Sequence, residues 1–241
     1  MEKLIVEQLF RPSSEERPVP PTTVRLTQGP IDALRFSGGQ GVKQAVVFFH
    51  GNEGNITWYV DRAQSLLASF PKHDVWVFEY VGFGRLTGTS PNTERLVLGA
   101  YQFLSAIQKY YTNWTWVTES IGAPIALGVL TKLDDKSRLA LLPSDIIMVN
   151  TFASVGSMSD LKKPGSGMWI KKLGYELNTA KYARQVVEKY GSDIRMQVMR
   201  SKGVTEVPVD QMVQVAEGAK VPLEIIEGGV RDYVLTIGGA L

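Results

Sequence analysis

Ser120 is the residue in this chain whose type and setting most suggest chemistry. It lies in Thr118-Glu119-Ser120-Ile121-Gly122, directly after the apolar run Trp114–Val117 and at the start of a helical pattern over Ile121–Leu133. A serine at the apex of a strand–turn–helix junction is the setting of a G-x-S-x-G elbow. Such a turn holds the hydroxyl above the end of the strand and points the next N–H, that of Ile121, into the same cleft. The residues two before and two after the serine must be small. Gly122 fits, and Thr118 is a bulkier variant. The plainer reading of Ser120 is a helix N-cap; the junction context favours the elbow.

A serine hydroxyl is a weak nucleophile until a base takes its proton. Histidine is the usual base near neutral pH, and the chain has two, His50 and His73. There is no cysteine, so disulfides, thiolate metal sites and a Cys nucleophile are excluded. His50 opens the segment His50-Gly51-Asn52-Glu53-Gly54-Asn55, which follows the apolar run AVVFF at 45–49. Small residues there let backbone N–H groups face a cleft and bind a developing oxyanion. By itself the segment also reads as a plain strand–helix turn. A third loop, Val81-Gly82-Phe83-Gly84-Arg85-Leu86-Thr87-Gly88, follows VWVFEY at 75–80. Its third glycine comes one position late for G-x-G-x-x-G, and no acidic residue stands at the ribose position, so no dinucleotide cofactor is expected. No His, Asp and Glu cluster has metal-ligand spacing, and neither a metal nor any other cofactor is expected.

These loops need strands beneath them. Thr23–Thr27 and Ile31–Phe36 predict a leading hairpin around Gln28, Gly29 and Pro30. Further strands are predicted at Ala45–Phe49, Val75–Tyr80, Trp114–Val117, Ile146–Val149, Arg195–Met199 and Leu223–Ile226. Helical spacing falls at Trp58–Phe70, Glu94–Tyr110, Ile121–Leu133, Lys171–Tyr190 (interrupted near Gly174) and Asp210–Glu217. Strands alternating with helices predict βαβ units and a doubly wound, mostly parallel sheet. In such a sheet the chemistry gathers beyond the carboxyl ends of the strands. Prolines at 12, 18, 20 and 21 make 1–22 an extended N-terminal arm, and 23–241 a single α/β domain.

Composition agrees with an ordinary globular chain. Of 241 residues, 44% are hydrophobic and 21% charged, which excludes disordered, collagen-like and coiled-coil classes. The net charge of +2 gives no case for nucleic-acid binding. The N-terminal apolar run is too short and too interrupted by charge for a secretory signal, and no stretch reaches the ~20 apolar residues of a membrane span. A soluble cytoplasmic protein is the expectation.

Four blocks stand in order at predicted strand ends: FFHGNEGN (48–55), EYVGFGRLTG (79–88), TESIG (118–122) and MVNTFASV (148–155). Together they resemble the α/β-hydrolase superfamily, nearest its small, almost lidless dienelactone-hydrolase-like, serine-aminopeptidase-like and depalmitoylase-like branch. The resemblance runs from about Thr23 to Asp232 and implies a minimal cap over the sheet. It places Ser120 at the nucleophile position. The backbone N–H groups of Ile121 and of Asn52 or its neighbour stand at the oxyanion hole, within the His50-Gly51-Asn52 motif. The family's acid follows the strand before last, in a G-x-x-D pattern; Gly203-Val204-Thr205-Glu206 puts Glu206 there, with a shortened spacing to Val207-Pro208. The family's histidine closes a G-G-x-H turn after the last strand. Here Gly228-Gly229-Val230 is followed by Arg231, and Asp232 comes next. Arginine is effectively never deprotonated and offers no acceptor. Paired with Glu206, or failing that with Asp232 or Glu119, Arg231 would fill the place of the base.

Lys162-Lys163 and Lys171-Lys172 flank Pro164-Gly165-Ser166-Gly167-Met168-Trp169-Ile170. The simple reading is a solvated cap loop, with Trp169 over the cleft or packed on the body. The other is contact with an acidic partner or a membrane surface. The functional expectation is a catalytically impaired binding or structural module on a serine-hydrolase scaffold, taking a protein partner or a small acyl or ester-like ligand. The alternative is an active ester or thioester hydrolase with an unconventional base.

Overall fold

The apolar runs build the strands that their patterns predict. The computed structural model describes residues 9–227. Within them the central strands are β1 (Val24–Gln28), β2 (Ile31–Phe36), β3 (Gln44–Phe49), β4 (Asp74–Phe78), β5 (Asn113–Glu119), β6 (Asp145–Val149), β7 (Arg195–Ser201) and β8 (Leu223–Ile226). They form one eight-stranded sheet in the order β1-β2-β4-β3-β5-β6-β7-β8. β1 and β2 make the antiparallel hairpin, β2 also runs antiparallel to β4, and every other pairing is parallel.

Continuous apolar strands have both faces covered. In β3, Ala45, Val47 and Phe49 enter one core cluster, while Val46 and Phe48 enter the other. The larger cluster is closed by α2 (Thr93–Ile107), α3 (Gly122–Lys132), α7 (Thr179–Tyr190) and α8 (Val209–Ala219). The opposite cluster is covered by α1 (Val60–Ser69). α3 lies at the centre: every residue from Gly122 to Leu130 is buried, so no polar face survives on its first two turns.

Three helices differ from the sequence expectation. α4 (Asp135–Leu141) is capped by Asp134, whose side chain accepts from the Ser137 N–H at 2.7 Å. α5 (Val155–Lys162) is capped by Ser154, which accepts from the Ser157 N–H at 3.0 Å. Both are short and rich in Ser, Asp and Lys, so their apolar periodicity is too weak to read. Their serine and aspartate caps were the available signal. The interruption expected near Gly174 is present, with residues 173–178 separating α6 (Ser166–Lys172) from α7, but α6 begins at Ser166, ahead of the expected Lys171. Gly174 at φ +79° sits in that break. The cap is therefore a pair of short helices, α5 and α6, not a loop. No helix among the described residues is long and apolar enough to cross a membrane.

Residues 10–20 of the arm are extended, and they are fastened to the body. Arg11–Pro12 pairs in parallel with Glu53–Gly54. Asn55 Nδ2 donates to the carbonyls of Ser13 and Glu15, at 2.9 and 2.8 Å. Arg17 stacks over Trp58 at 3.9 Å, and Glu16 pairs with Arg25 and Arg85 at 2.9 and 2.7 Å. Phe10 is buried against Phe83 and Tyr175, with ring centroids 6.1 and 6.4 Å away. Phe10→Ala should therefore cost about 3–5 kcal/mol, the range for a buried aromatic. Urea unfolding checks this. A loss below about 1 kcal/mol, the size of an ordinary surface effect, would show that the arm is only draped over the body.

Candidate active site

The loops singled out in the sequence leave the same edge of the sheet, because β3, β5, β6 and β7 are parallel. Ser120 follows β5 with φ +53°. A non-glycine residue in this region is strained and persists only where its surroundings hold it. The restraints here are explicit. The Ser120 N–H donates to the Val149 carbonyl at 3.0 Å, and Thr151 Oγ1 donates to the Ser120 carbonyl at 3.1 Å. Both partners lie at or just past the end of β6. Two residues on, a Cβ at Gly122 would overlap the Phe49 carbonyl at the end of β3. The small residue after the serine is thus required by a backbone-to-backbone crossing. Thr118, the bulkier variant, is fully buried.

Ser120 and Ile121 open onto a cavity of about 1320 Å³. Asn52 and Glu206 line the same cavity, so four of the residues expected at the site are brought together. Gly51 and His50 lie behind it. A Cβ at Gly51 would approach the Tyr59 hydroxyl at 3.2 Å, which keeps that turn tight. Arg231, Asp232 and Gly228–Val230 lie outside the described residues. Glu119 forms an ion pair with Arg62 at 2.9 Å.

Two features of the cavity were missed in the sequence. The arm supplies part of the wall through Leu9 and Arg11. It also fixes the loop: Asn52 Nδ2 donates to the Leu9 carbonyl at 3.0 Å, and the Arg11 N–H donates to the Asn52 carbonyl at 2.9 Å. The second feature is Asn150, at φ +49°. Its side chain accepts from the Ser201 N–H at 2.8 Å and donates to Ser201 Oγ at 3.1 Å, tying β6 to β7. The asparagine of MVNTFASV was a visible signal, since Asn tolerates the left-handed region.

Neither histidine reaches Ser120. His73 precedes β4, at the opposite end of the sheet from the elbow. His50 is fully buried, stacked on Tyr80 at 4.0 Å, with the Tyr80 hydroxyl donating to the His50 carbonyl at 2.9 Å. Its Nδ1 lies 2.8 Å from the Gly51 carbonyl, so Nδ1 carries the proton. Burial drives the imidazole pKa down to about 3, so the ring is neutral and serves to hold the loop.

His50 Nε2 faces Glu79 Oε1 at 3.7 Å. Glu79 is itself buried, and burial raises its carboxyl to about 8, while Oε2 accepts from the Ile56 N–H at 3.1 Å. The glycine-rich loop makes room for it: a Cβ at Gly84 would overlap Oε2 of Glu79. A protonated Glu79 beside a neutral imidazole is a neutral pair buried next to the Ser120 cavity.

No family model matches the chain, and no curated protein matches its sequence. Solved structures do match in shape. An esterase of Pyrococcus furiosus superposes with a TM-score of 0.66 at 14% identity, covering 95% of this chain and 97% of that one. The chain has the α/β-hydrolase fold. Carboxyl esterase 2 of the fungus Tuber melanosporum is similar at a TM-score of 0.65 and 14% identity, over 95% of this chain and 89% of its own. A thioesterase domain of the curacin biosynthetic pathway is similar at 0.60 and 12%, over 90% and 98%. The mostly parallel sheet is the one that the four sequence blocks implied, and Ser120 lies between β5 and α3.

Two measurements test this geometry. A glycine-to-alanine change inside a helix normally gains about 1 kcal/mol. Gly122→Ala should instead lose about 1–3 kcal/mol, because the added methyl overpacks against Phe49; an unchanged or higher Tm would contradict the crossing. The His50–Glu79 pair sets a pH dependence. Folding takes up a proton at Glu79 between its ordinary 4.5 and about 8, so its stabilisation is lost as pH rises through that window. Folding releases a proton at His50 between about 3 and 6.5, so that stabilisation is lost as pH falls. The slopes cancel between about 4.5 and 6.5, and stability should decline on both sides. Glu79→Gln should flatten the decline between about 6.5 and 8, read as the difference between the two pH–stability curves.

Proposed function

We propose that this chain is a binding module on a serine-hydrolase scaffold, whose cavity takes a small acyl or ester-like ligand and turns it over little or not at all. The observation that carries this reading is the position of the histidines. The chain has two. One is sealed and neutral behind the oxyanion loop, and the other precedes β4 at the far end of the sheet. In this reading Ser120 takes the nucleophile position and the N–H groups of Ile121 and Asn52 cradle a ligand carbonyl, which the shared lining of one cavity by the three residues supports. A carbonyl held this way is bound but not attacked, because neither histidine is in reach to draw the proton from the Ser120 hydroxyl. Arg231 follows the glycines where the family's base belongs, and it has no acceptor to offer.

The cavity suits such a ligand. Phe152, Val155, Met158, Ile170 and Val207 give it an apolar wall beside the serine. Apolar pockets with a few directed polar groups are the usual form of small-molecule sites.

A second reading has one specific observation behind it. Glu206 lines the same cavity as Ser120 and could act on the serine as a carboxylate base. That reading is a slow ester or thioester hydrolase. Histidine is the group that most often serves as a general base, and the carboxylate reading puts Glu206 in its place. Removing a triad member elsewhere leaves only about 10³–10⁴-fold rate enhancement over water.

Reaction with a fluorophosphonate probe decides between them. The binding reading expects no covalent label at Ser120, and hydrolysis of short p-nitrophenyl esters that Ser120→Ala leaves unchanged. Stoichiometric labelling, abolished by Ser120→Ala and reduced by Glu206→Gln, would establish the hydrolase.

A further inference from the structure

Part of the cap surface, at Leu161, Met168, Lys171 and Lys172, lies outside the lining of the Ser120 cavity. α5 and α6 form a hairpin whose turn, at Lys163, Pro164 and Gly165, has Gly165 at φ +84°. The hairpin is pinned from inside. Asp160 Oδ1 accepts from the Gly167 N–H at 2.7 Å, Ser159 and Ser166 share a hydroxyl bond at 2.6 Å, and Ser166 Oγ donates to the Lys163 carbonyl at 2.7 Å. Val155 and Ile170 anchor its base in the core.

The outer part is the reverse of a settled surface. Leu161 is 57% exposed, Met168 66% and Trp169 39%. Large apolar side chains grouped like this on a soluble surface mark a contact site. Around them stand Lys162, Lys163, Lys171 and Lys172, all exposed, and residues 161–172 contain no Asp or Glu. None of these four lysines has an ion pair among the described residues. Lys172 Nζ instead lies 5.1 Å from the Trp169 ring.

We propose that the α5–α6 hairpin docks on an anionic phospholipid surface, with Leu161, Met168 and Trp169 entering the headgroup boundary and the four lysines meeting the lipid phosphates. Lysine stems and tryptophan rings favour that boundary, where one end is apolar and the other wet. Each lysine near an anionic leaflet adds attraction that salt screens. A folded protein partner is the poorer match. A stable protein interface takes roughly 20–30 residues a side, and this tip spans the twelve residues 161–172. A bilayer needs only a small insertion. Lys162, Lys163, Pro164, Gly165 and Trp169 also line the cavity, so docking would set this side of it against the membrane. A ligand carrying an acyl chain could then enter from the lipid. The docking itself does not depend on whether Ser120 binds or hydrolyses anything.

Sedimentation of the full-length protein with vesicles tests it. One set is neutral phosphatidylcholine, and the other contains about a third phosphatidylserine, at about 0.1 M salt. Binding to the anionic vesicles alone is expected. Lys162→Glu with Lys163→Glu should weaken it at least tenfold, and raised salt should do the same. Met168→Ser with Trp169→Ser should weaken it by a similar factor while leaving the salt dependence. Thermal melting shows that each variant is folded. If the charge reversal lowers Tm, Lys162→Gln with Lys163→Gln serves in its place. No binding, equal binding to both vesicle types, or full binding by the lysine variants would overturn the proposal. So would retention on polyglutamate without vesicle binding, which would assign the patch to an acidic protein.

Discussion

The site rests on one close approach. α3 crosses the end of β3 so tightly that residue 122 can have no side chain, since a Cβ there would overlap the Phe49 carbonyl. This fixes the axis of a helix buried over its first two turns. The chain must then leave β5 and enter α3 within three residues. Only a left-handed residue closes that turn, and Ser120 at φ +53° is that residue. The strain, of order 1–3 kcal/mol, is held by two hydrogen bonds to the end of β6. The cavity, its serine and the Ile121 N–H all follow from this crossing.

The opposite wall is held by different means. Its loop begins at His50, whose ring is gripped by Tyr80 and by its own Gly51 carbonyl. Burying an imidazole and a carboxyl side by side would be costly if both were ionised. Desolvation removes that cost by pushing the two pKa values in opposite directions, so that each group is neutral near neutral pH. The arm then clamps Asn52 from outside through Leu9 and Arg11. One side of the cavity is thus positioned by backbone packing. The other is positioned by a buried neutral pair and a segment from the chain's beginning.

What the sequence showed, and what it hid, follows from the range of the forces involved. AVVFF, VWVFEY and TESIG were legible because strand burial and the elbow are local, and their demands appear as adjacent residue types. Long-range contacts left no such mark. Nothing near Leu9 or Arg11 announces that they will meet Asn52, forty-odd residues away. α4 and α5 were lost because helices of seven and eight residues lack enough turns to show a period. Glu206 was placed by an altered G-x-x-D pattern, and it does line the cavity. The role of Glu79 was hidden because a carboxylate at a strand end looks solvated in sequence, and only the space left by Gly84 shows that it is buried.

Retention of the elbow is weak testimony to catalysis. Its geometry is enforced by the Gly122–Phe49 crossing and by the bonds from Ser120 N–H and to the Ser120 carbonyl. All of these are backbone requirements, and none involves the serine hydroxyl. A chain of this fold would keep the turn, the cavity and the position of the Ile121 N–H with or without a base beside the serine. The elbow is therefore expected in a chain of this fold whether or not Ser120 is a working nucleophile, and the fold by itself does not decide function.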